Sequence, residues 1–249
     1  MFIVNAGKRA LSSKALLALL LSTASACAST VSFSDTFSPP SSQWSNSSGN
    51  WTATGGDYYA QSPNNNPFAA TFLPFDLTSY TLNLTLNNAG DGGIFVRTNS
   101  SDTQFVVLIL GGEGYGQGAR GGNAGSSLYW ADSNNPSAIL GLVTGVFTPG
   151  NTYSIKVVAS GDVFQAYVNG TLESTFTDAA GGSDGGVGLY DDQPNTTTGS
   201  GSGPASSYSS FSLTGTTVTS TAATPEPGPI LLIGTGLAVL LLVFRRKRA

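Results

Sequence analysis

Across residues 29–213 no segment offers an apolar stripe at helical spacing for longer than two turns. Short apolar runs recur instead between clusters of Gly, Pro, Asn and Asp, and that punctuation dictates strands and turns. Runs 31–37 and 80–86 (Tyr-Thr-Leu-Asn-Leu-Thr-Leu) alternate, so each predicts a strand with one buried face. Run 105–110 (Phe-Val-Val-Leu-Ile-Leu) is apolar throughout and predicts a central strand covered on both sides, with 94–97 as its hairpin partner. Further strands are expected at 128–131, 153–159, 163–168, 172–176, 187–190 and 208–213. Asn169-Gly170 supplies the positive φ angles of a tight hairpin, and Ser160-Gly161-Asp162 marks another turn one strand earlier. Together these make 153–176 an antiparallel meander. The expected fold is all-β, a two-sheet antiparallel sandwich.

The ends of the chain carry addresses. Lys8, Arg9 and Lys14 precede the apolar stretch 15–21, and small residues lead to Ala26-Cys27-Ala28, the layout of a secretory signal peptide cut after Ala28. Residues 1–28 are then leader, and the mature chain has no cysteine, which excludes disulfides and thiol chemistry. Cys27 as a lipidated first residue is the alternative, with Ala24 where a lipobox usually has leucine. Residues 214–224 are rich in Ser and Thr and read as a linker. At the C-terminus, Pro225-Glu226-Pro227 precedes an apolar helix at 230–244 and the basic block Arg245-Arg246-Lys247-Arg248. Fifteen helical residues cover about 22 Å of a hydrocarbon layer about 30 Å thick, so the span is marginal and suits a temporary anchor. The basic block holds the tail in the cytoplasm and leaves everything before Pro225 outside. The prolines keep the preceding segment extended, the backbone form that proteases bind.

Composition narrows the chemistry. Residues 29–224 hold thirteen acidic and three basic side chains, a net charge of −10 that repels phosphate backbones and argues against nucleic-acid partners. Histidine is absent, which removes Ser-His-Asp and Cys-His catalysis and His-ligated zinc. Glu113 and Glu173 are the only glutamates before the tail, sixty residues apart. Gly116-Gln-Gly118-Ala-Arg-Gly121 is formally a GxGxxG, but no helix follows to cradle a phosphate. Asp191 and Asp192 follow a strand with Asp184 and Asp178 nearby, and such hard oxygen ligands can hold Ca²⁺, although their spacing matches no fixed calcium loop and solvated turn carboxylates are the plainer reading. Trp44, Trp51, Trp130 and Tyr115 are candidate stacking surfaces for sugar rings, against a role for the tryptophans in the core. No cofactor is otherwise expected.

Two resemblances follow from these residues. The tail 225–249, with Pro-Glu-Pro, a short apolar helix containing Gly-Thr-Gly and an Arg-rich end, resembles the PEP-CTERM sorting signal. That resemblance implies processing at Pro225, Glu226 and Pro227 by exosortase, a membrane-embedded protease, and a substrate destined for the cell surface or the biofilm matrix after a transient stay in the inner membrane. Phe33-Ser-Asp35-Thr-Phe37, Trp44, Trp51, the stretch 155–170, Val187-Gly-Leu-Tyr190 and Tyr208-Ser-Ser-Phe211-Ser-Leu213 resemble the concanavalin A-like lectin/glucanase jelly roll. It implies polysaccharide binding or, alternatively, glycan hydrolysis. The hydrolases of that family carry E-x-D-x-x-E on one strand, which is absent here, so the expectation is a non-enzymatic, polysaccharide-binding or structural matrix protein. Many such domains have Asp or Asn just before the last-strand Phe; this chain has Ser210, which puts a metal or closing contact there in doubt. Replacing Pro225 or Glu226 should leave full-length precursor in the membrane; unchanged processing by mass spectrometry would refute the sorting signal.

Overall fold

The computed structural model describes residues 28–61, 68–99, 103–112, 126–135, 138–148, 150–178, 185–191 and 206–217. The leader as far as Cys27 and the tail with its expected helix lie outside them, and no helix among the described residues is long and apolar enough to cross a membrane. Within the unit Ala28–Ser220 the strands are, in order, β1 (Thr30–Asp35), β2 (Trp51–Thr54), β3 (Asp57–Ala60), β4 (Ala69–Phe72), β5 (Leu77–Asn88), β6 (Gly92–Thr98) and β7 (Phe105–Leu110). They continue as β8 (Leu128–Asp132), β9 (Leu140–Val143), β10 (Tyr153–Ser160), β11 (Val163–Val168), β12 (Thr171–Thr177), β13 (Gly188–Asp191) and β14 (Ser207–Thr217).

Two antiparallel sheets result. The larger has eight strands in the order β12-β11-β10-β5-β14-β3-β2, with β1 also on β14; the smaller runs β4-β13-β6-β7-β8-β9. Strand β5 alternates as expected, sending Tyr80, Leu82, Leu84 and Leu86 into the core between the sheets. Strand β7 is buried at every residue and sits between β6 and β8. The meander β10-β11-β12 closes at Asn169 (φ 50°) and Gly170 (φ 86°), the positive pair that a type I′ hairpin needs.

The smaller sheet is apolar on its outer side too. Phe72, Phe95, Phe105, Val107, Ile109, Tyr129 and Tyr190 form a second buried cluster there, separate from the inter-sheet core. Burial on both faces explains why its strands read as continuous apolar runs rather than alternating ones.

Polar links tie the sheets together. The Tyr80 hydroxyl donates to the Val96 carbonyl at 2.6 Å. Tyr208 donates to the Tyr190 carbonyl at 2.8 Å and accepts from the Gly93 amide at 2.9 Å. Trp130 Nε1 donates to Ser174 Oγ at 3.0 Å, which donates on to the Gly141 carbonyl at 3.0 Å. At the start of the domain, the buried Asp35 carboxylate accepts from the Phe37 amide (2.7 Å), the Ser41 amide (2.8 Å) and Trp44 Nε1 (2.8 Å). These three charge-assisted bonds turn the chain out of β1.

The structure corrects the sequence-based boundaries. Residues 214–217 are not linker but the end of β14, where the Thr217 amide donates to the Ser29 carbonyl at 2.9 Å and ties the two ends of the domain together. Strand β1 stops at Asp35 rather than at Phe37, whose φ of 55° takes the chain out of extended geometry. Strands β2, β3, β4 and β9 were not anticipated; each has four residues, too few for a period of two to show. Ser210 occupies a bulge in β14 with φ 48° and shares a hydrogen bond with Thr85 Oγ1 at 2.8 Å. A left-handed backbone there gives the physical reason that Asn or Asp suits the position, since both tolerate this region better than serine.

Burial raises the hydroxyl pKa of Tyr80, and that of Tyr208 well above 10.0, where nearby Asp191 adds to the effect. Both are protonated in the folded state, so below the unfolded value of about 10 they contribute no pH dependence. Above it the unfolded chain releases protons that the folded chain retains, and stability falls by about 1.4 kcal/mol per pH unit for each tyrosine. Urea unfolding between pH 9 and 12 should show this decline, and a Tyr80→Phe/Tyr208→Phe variant should show a shallower one.

Candidate functional site

The three tryptophans offered above as stacking surfaces are core residues. Trp44, Trp51 and Trp130 are 7%, 5% and 0% exposed. Trp44 lies among Phe33, Phe37, Tyr58 and Phe211; Trp51 packs on Tyr58 and Tyr208; Trp130 packs on Phe164 and Phe176. Two sheets about 10 Å apart leave a gap that large rings fill. Tyr115, Glu113, Asp184 and Asp192 lie outside the described residues.

Of Asp184, Asp191 and Asp192, only Asp191 lies among the described residues. Asp191 is fully buried, at the end of β13 opposite Gly92, whereas Gly185, the neighbour of Asp184, is bridged to Leu77. Among the described residues no group of three Asp, Glu, Cys or His side chains is placed to hold a metal ion.

At the Gly185 end, the structure builds something that residue spacing did not reveal. Arg97, near the end of β6, is buried and its guanidinium reaches into the larger sheet. It contacts Asp178 at 3.0 Å, Asp162 at 3.4 Å and the Gly161 carbonyl at 2.7 Å, and lies over the Phe164 ring at 4.8 Å. The cation therefore pins the β10–β11 turn and the end of β12 to the smaller sheet.

Beside Arg97 opens a cleft of about 300 Å³ lined by Phe72, Leu73, Pro74, Phe75, Asp76, Thr98, Asn99 and Gly186. Its first wall is the connection between β4 and β5. The Leu73 amide donates to the Val187 carbonyl at 3.0 Å, and the Leu77 amide to the Gly185 carbonyl at 3.0 Å, so both ends of that connection are held. Phe75 is half-buried and braced edge-on against Phe33 at 6.0 Å. Phe72 packs against Phe95 at 4.8 Å. The opposite wall is polar. Asn99 Oδ1 accepts from the amides of Thr103 (2.9 Å) and Gln104 (3.2 Å), and its Nδ2 donates to Thr103 Oγ1 at 3.0 Å, which fixes the carboxamide. Gly186 completes the lining, packed so close to Thr98 that a Cβ there would stand 2.8 Å from Thr98 Cγ2. The strand connection brings Phe72, Phe75 and the exposed Asp76, and the facing turn brings the immobilised amide of Asn99. That arrangement matches a sugar ring, which has a C–H face and a hydroxyl edge. The one sequence signal was Pro74-Phe75-Asp76, an aromatic and an acid on a proline turn between strands.

No protein-family model and no curated protein matches the chain. Solved structures do. The carbohydrate-binding module CBM66 from Bacillus subtilis matches with a TM-score of 0.50 at 14% identity, covering 67% of this chain and 92% of that one. The carbohydrate recognition domain of Emp47p matches with a TM-score of 0.51 at 14% identity over 74% and 94%. A Bacillus licheniformis beta-glucanase matches with a TM-score of 0.50 at 14% identity over 75% and 97%. The fold is therefore that of the concanavalin A-like lectin and glucanase sandwiches. Replacing Arg97 with alanine leaves Asp178 buried without its cation and should cost about 3–5 kcal/mol in urea unfolding.

Proposed function

We propose that this is an exported, non-catalytic glycan-binding protein of the cell surface or extracellular matrix, delivered there by exosortase processing of its C-terminal tail. The observation that carries the binding reading is the amphipathic cleft, lined by the rings of Phe72 and Phe75 and by the polar side chains of Asp76 and Asn99. The fold supports it, since it is shared by proteins named as carbohydrate-binding domains. Delivery is supported by the order of parts in the tail, Pro225-Glu226-Pro227, apolar run and basic block, and by the leader ending at Ala28.

Hydrolysis on the same fold needs two carboxylates facing one cleft, about 5–5.5 Å apart for retention or about 6.5–9.5 Å for inversion. Among the described residues that line this cleft Asp76 is the one carboxylate. Several others already hold the fold: Asp35 binds Trp44, Asp132 caps the Asn134 amide, Asp57 accepts from Asn87, and Asp162 and Asp178 share Arg97. As proposed, binding needs no metal.

The purified unit Ala28–Ser220, screened on a glycan array, should retain at least one polysaccharide with or without EDTA. Phe75→Ala, which removes the ring wall, should weaken that binding about tenfold, the scale of one aromatic–sugar contact. Flat signals against all glycans would remove the reading, and release of reducing ends from a bound polymer would replace it with hydrolysis.

A further inference from the structure

We infer that the outer face of the larger sheet is a second glycan-contact surface, one that selects polymers carrying carboxylates and reads their charge with Lys156; this rests on the glycan-binding reading above. The face is built by alternation. While Tyr80, Leu82 and Leu84 of β5 point into the core, the residues between them point outward, and the register continues them across the neighbouring strands. One row runs Ser32, Thr214, Thr81, Val158, and the next runs Ser212, Asn83, Lys156, Tyr167. The first row borders a hollow of about 300 Å³, lined by Thr30, Ser79, Thr81, Thr214 and Thr216 together with Val158. Lys156 is two residues from Val158 on the same strand, about 7 Å along it.

Charge sets the ligand. Strands β5, β10, β11 and β14 contain no acidic residue, and the one acid of β1, Asp35, is buried and bonded to Trp44. Lys156 therefore stands in a neutral neighbourhood, within a domain whose residues 29–224 carry −10. Of the two described cations, Arg97 is held by Asp162 and Asp178, whereas Lys156 has no carboxylate within ion-pair distance among the described residues. Its ammonium lies 3.9 Å over the Tyr167 ring, and the Tyr167 hydroxyl donates to Gln165 Oε1 at 3.2 Å. The cation is thus seated on a ring that carries no counter-charge. Glu173, on β12, is two strands away, about 10 Å, and charges beyond about 8 Å are largely screened at physiological ionic strength. A carboxylate arriving at this point gains a charge-assisted hydrogen bond, while the hydroxyls of the hollow and the Asn83 amide meet the hydroxyls of the same sugar chain. A neutral polymer finds only those hydroxyls and amides, which exchange water for sugar at little net gain.

The test uses polygalacturonate and alginate, each alongside the same polymer with its carboxylates reduced to alcohols, titrated with the full chain in detergent at physiological salt. At least one acidic polymer should bind about fivefold or more tightly than its reduced partner, the scale of one exposed ion pair. Lys156→Gln should abolish that preference without shifting the urea midpoint, Lys156→Arg should keep it, and high salt should shrink it. Equal binding of acidic and reduced polymer overturns the inference and leaves the glycan-binding reading standing, as does a preference that Lys156→Gln leaves intact. Lys156-dependent binding to phosphatidylserine vesicles, or a Lys156-dependent dimer in sedimentation, overturns it by assigning the face to a membrane or to a second copy of the chain. Binding to no polymer, acidic or reduced, counts against glycan binding itself and removes this inference with it.

Discussion

The larger sheet depends on its last strand. Strand β14 lies against β5 along nearly its whole length, from Ser207 opposite Asn88 to Thr217 opposite Leu77, and its other edge takes β3 at Tyr208 and β1 from Phe211 onward. Until it docks, β1 and the β2–β3 hairpin have no sheet to join, and the backbone groups along that edge of β5 have no partner. Because β14 closes the domain at its C-terminal end, these pairings span more than a hundred residues and must form without disulfide help. The same strand carries Tyr208, whose hydroxyl reaches across to Gly93 and Tyr190, so closing one sheet also aligns the other.

The cleft is a consequence of that closure. Its apolar wall leads into β5 at Leu77, the residue paired with Thr217, and the bonds from Leu73 to Val187 and from Leu77 to Gly185 fix it to the approach of β13. Arg97 holds the neighbouring β10–β11 turn and the end of β12 against the smaller sheet. The cleft is made of one strand connection, one tight turn and one glycine, each tied to a sheet, and such fixed placement of polar groups would limit the cost of ordering them around a ligand.

Elements with a long, unambiguous period were legible. The alternation of β5, the unbroken apolar run of β7 and the Asn-Gly turn of the β10-β11-β12 meander each specify their own geometry locally. The four-residue strands β2, β3, β4 and β9 did not, because two turns of a pleat are indistinguishable from an apolar loop. The surroundings of the tryptophans were not legible for a related reason: Trp44 sits between Gln43 and Ser45, and nothing in that neighbourhood announces that Asp35 and four other rings will enclose it.

By itself the amino-acid sequence determined the all-β character, the central strands, the acidic balance, the lack of histidine and of E-x-D-x-x-E, and the terminal motifs, since each is a property of residue type or near-neighbour spacing. Only the tertiary structure decided that the tryptophans are core, that Arg97 is neutralised, and that Phe75, Asp76, Asn99 and Gly186 face one cleft. Those are relations between residues tens of positions apart, set by which strands pair and in what register, and pairing at that distance is written in the packing of the whole sandwich rather than in any window of the chain.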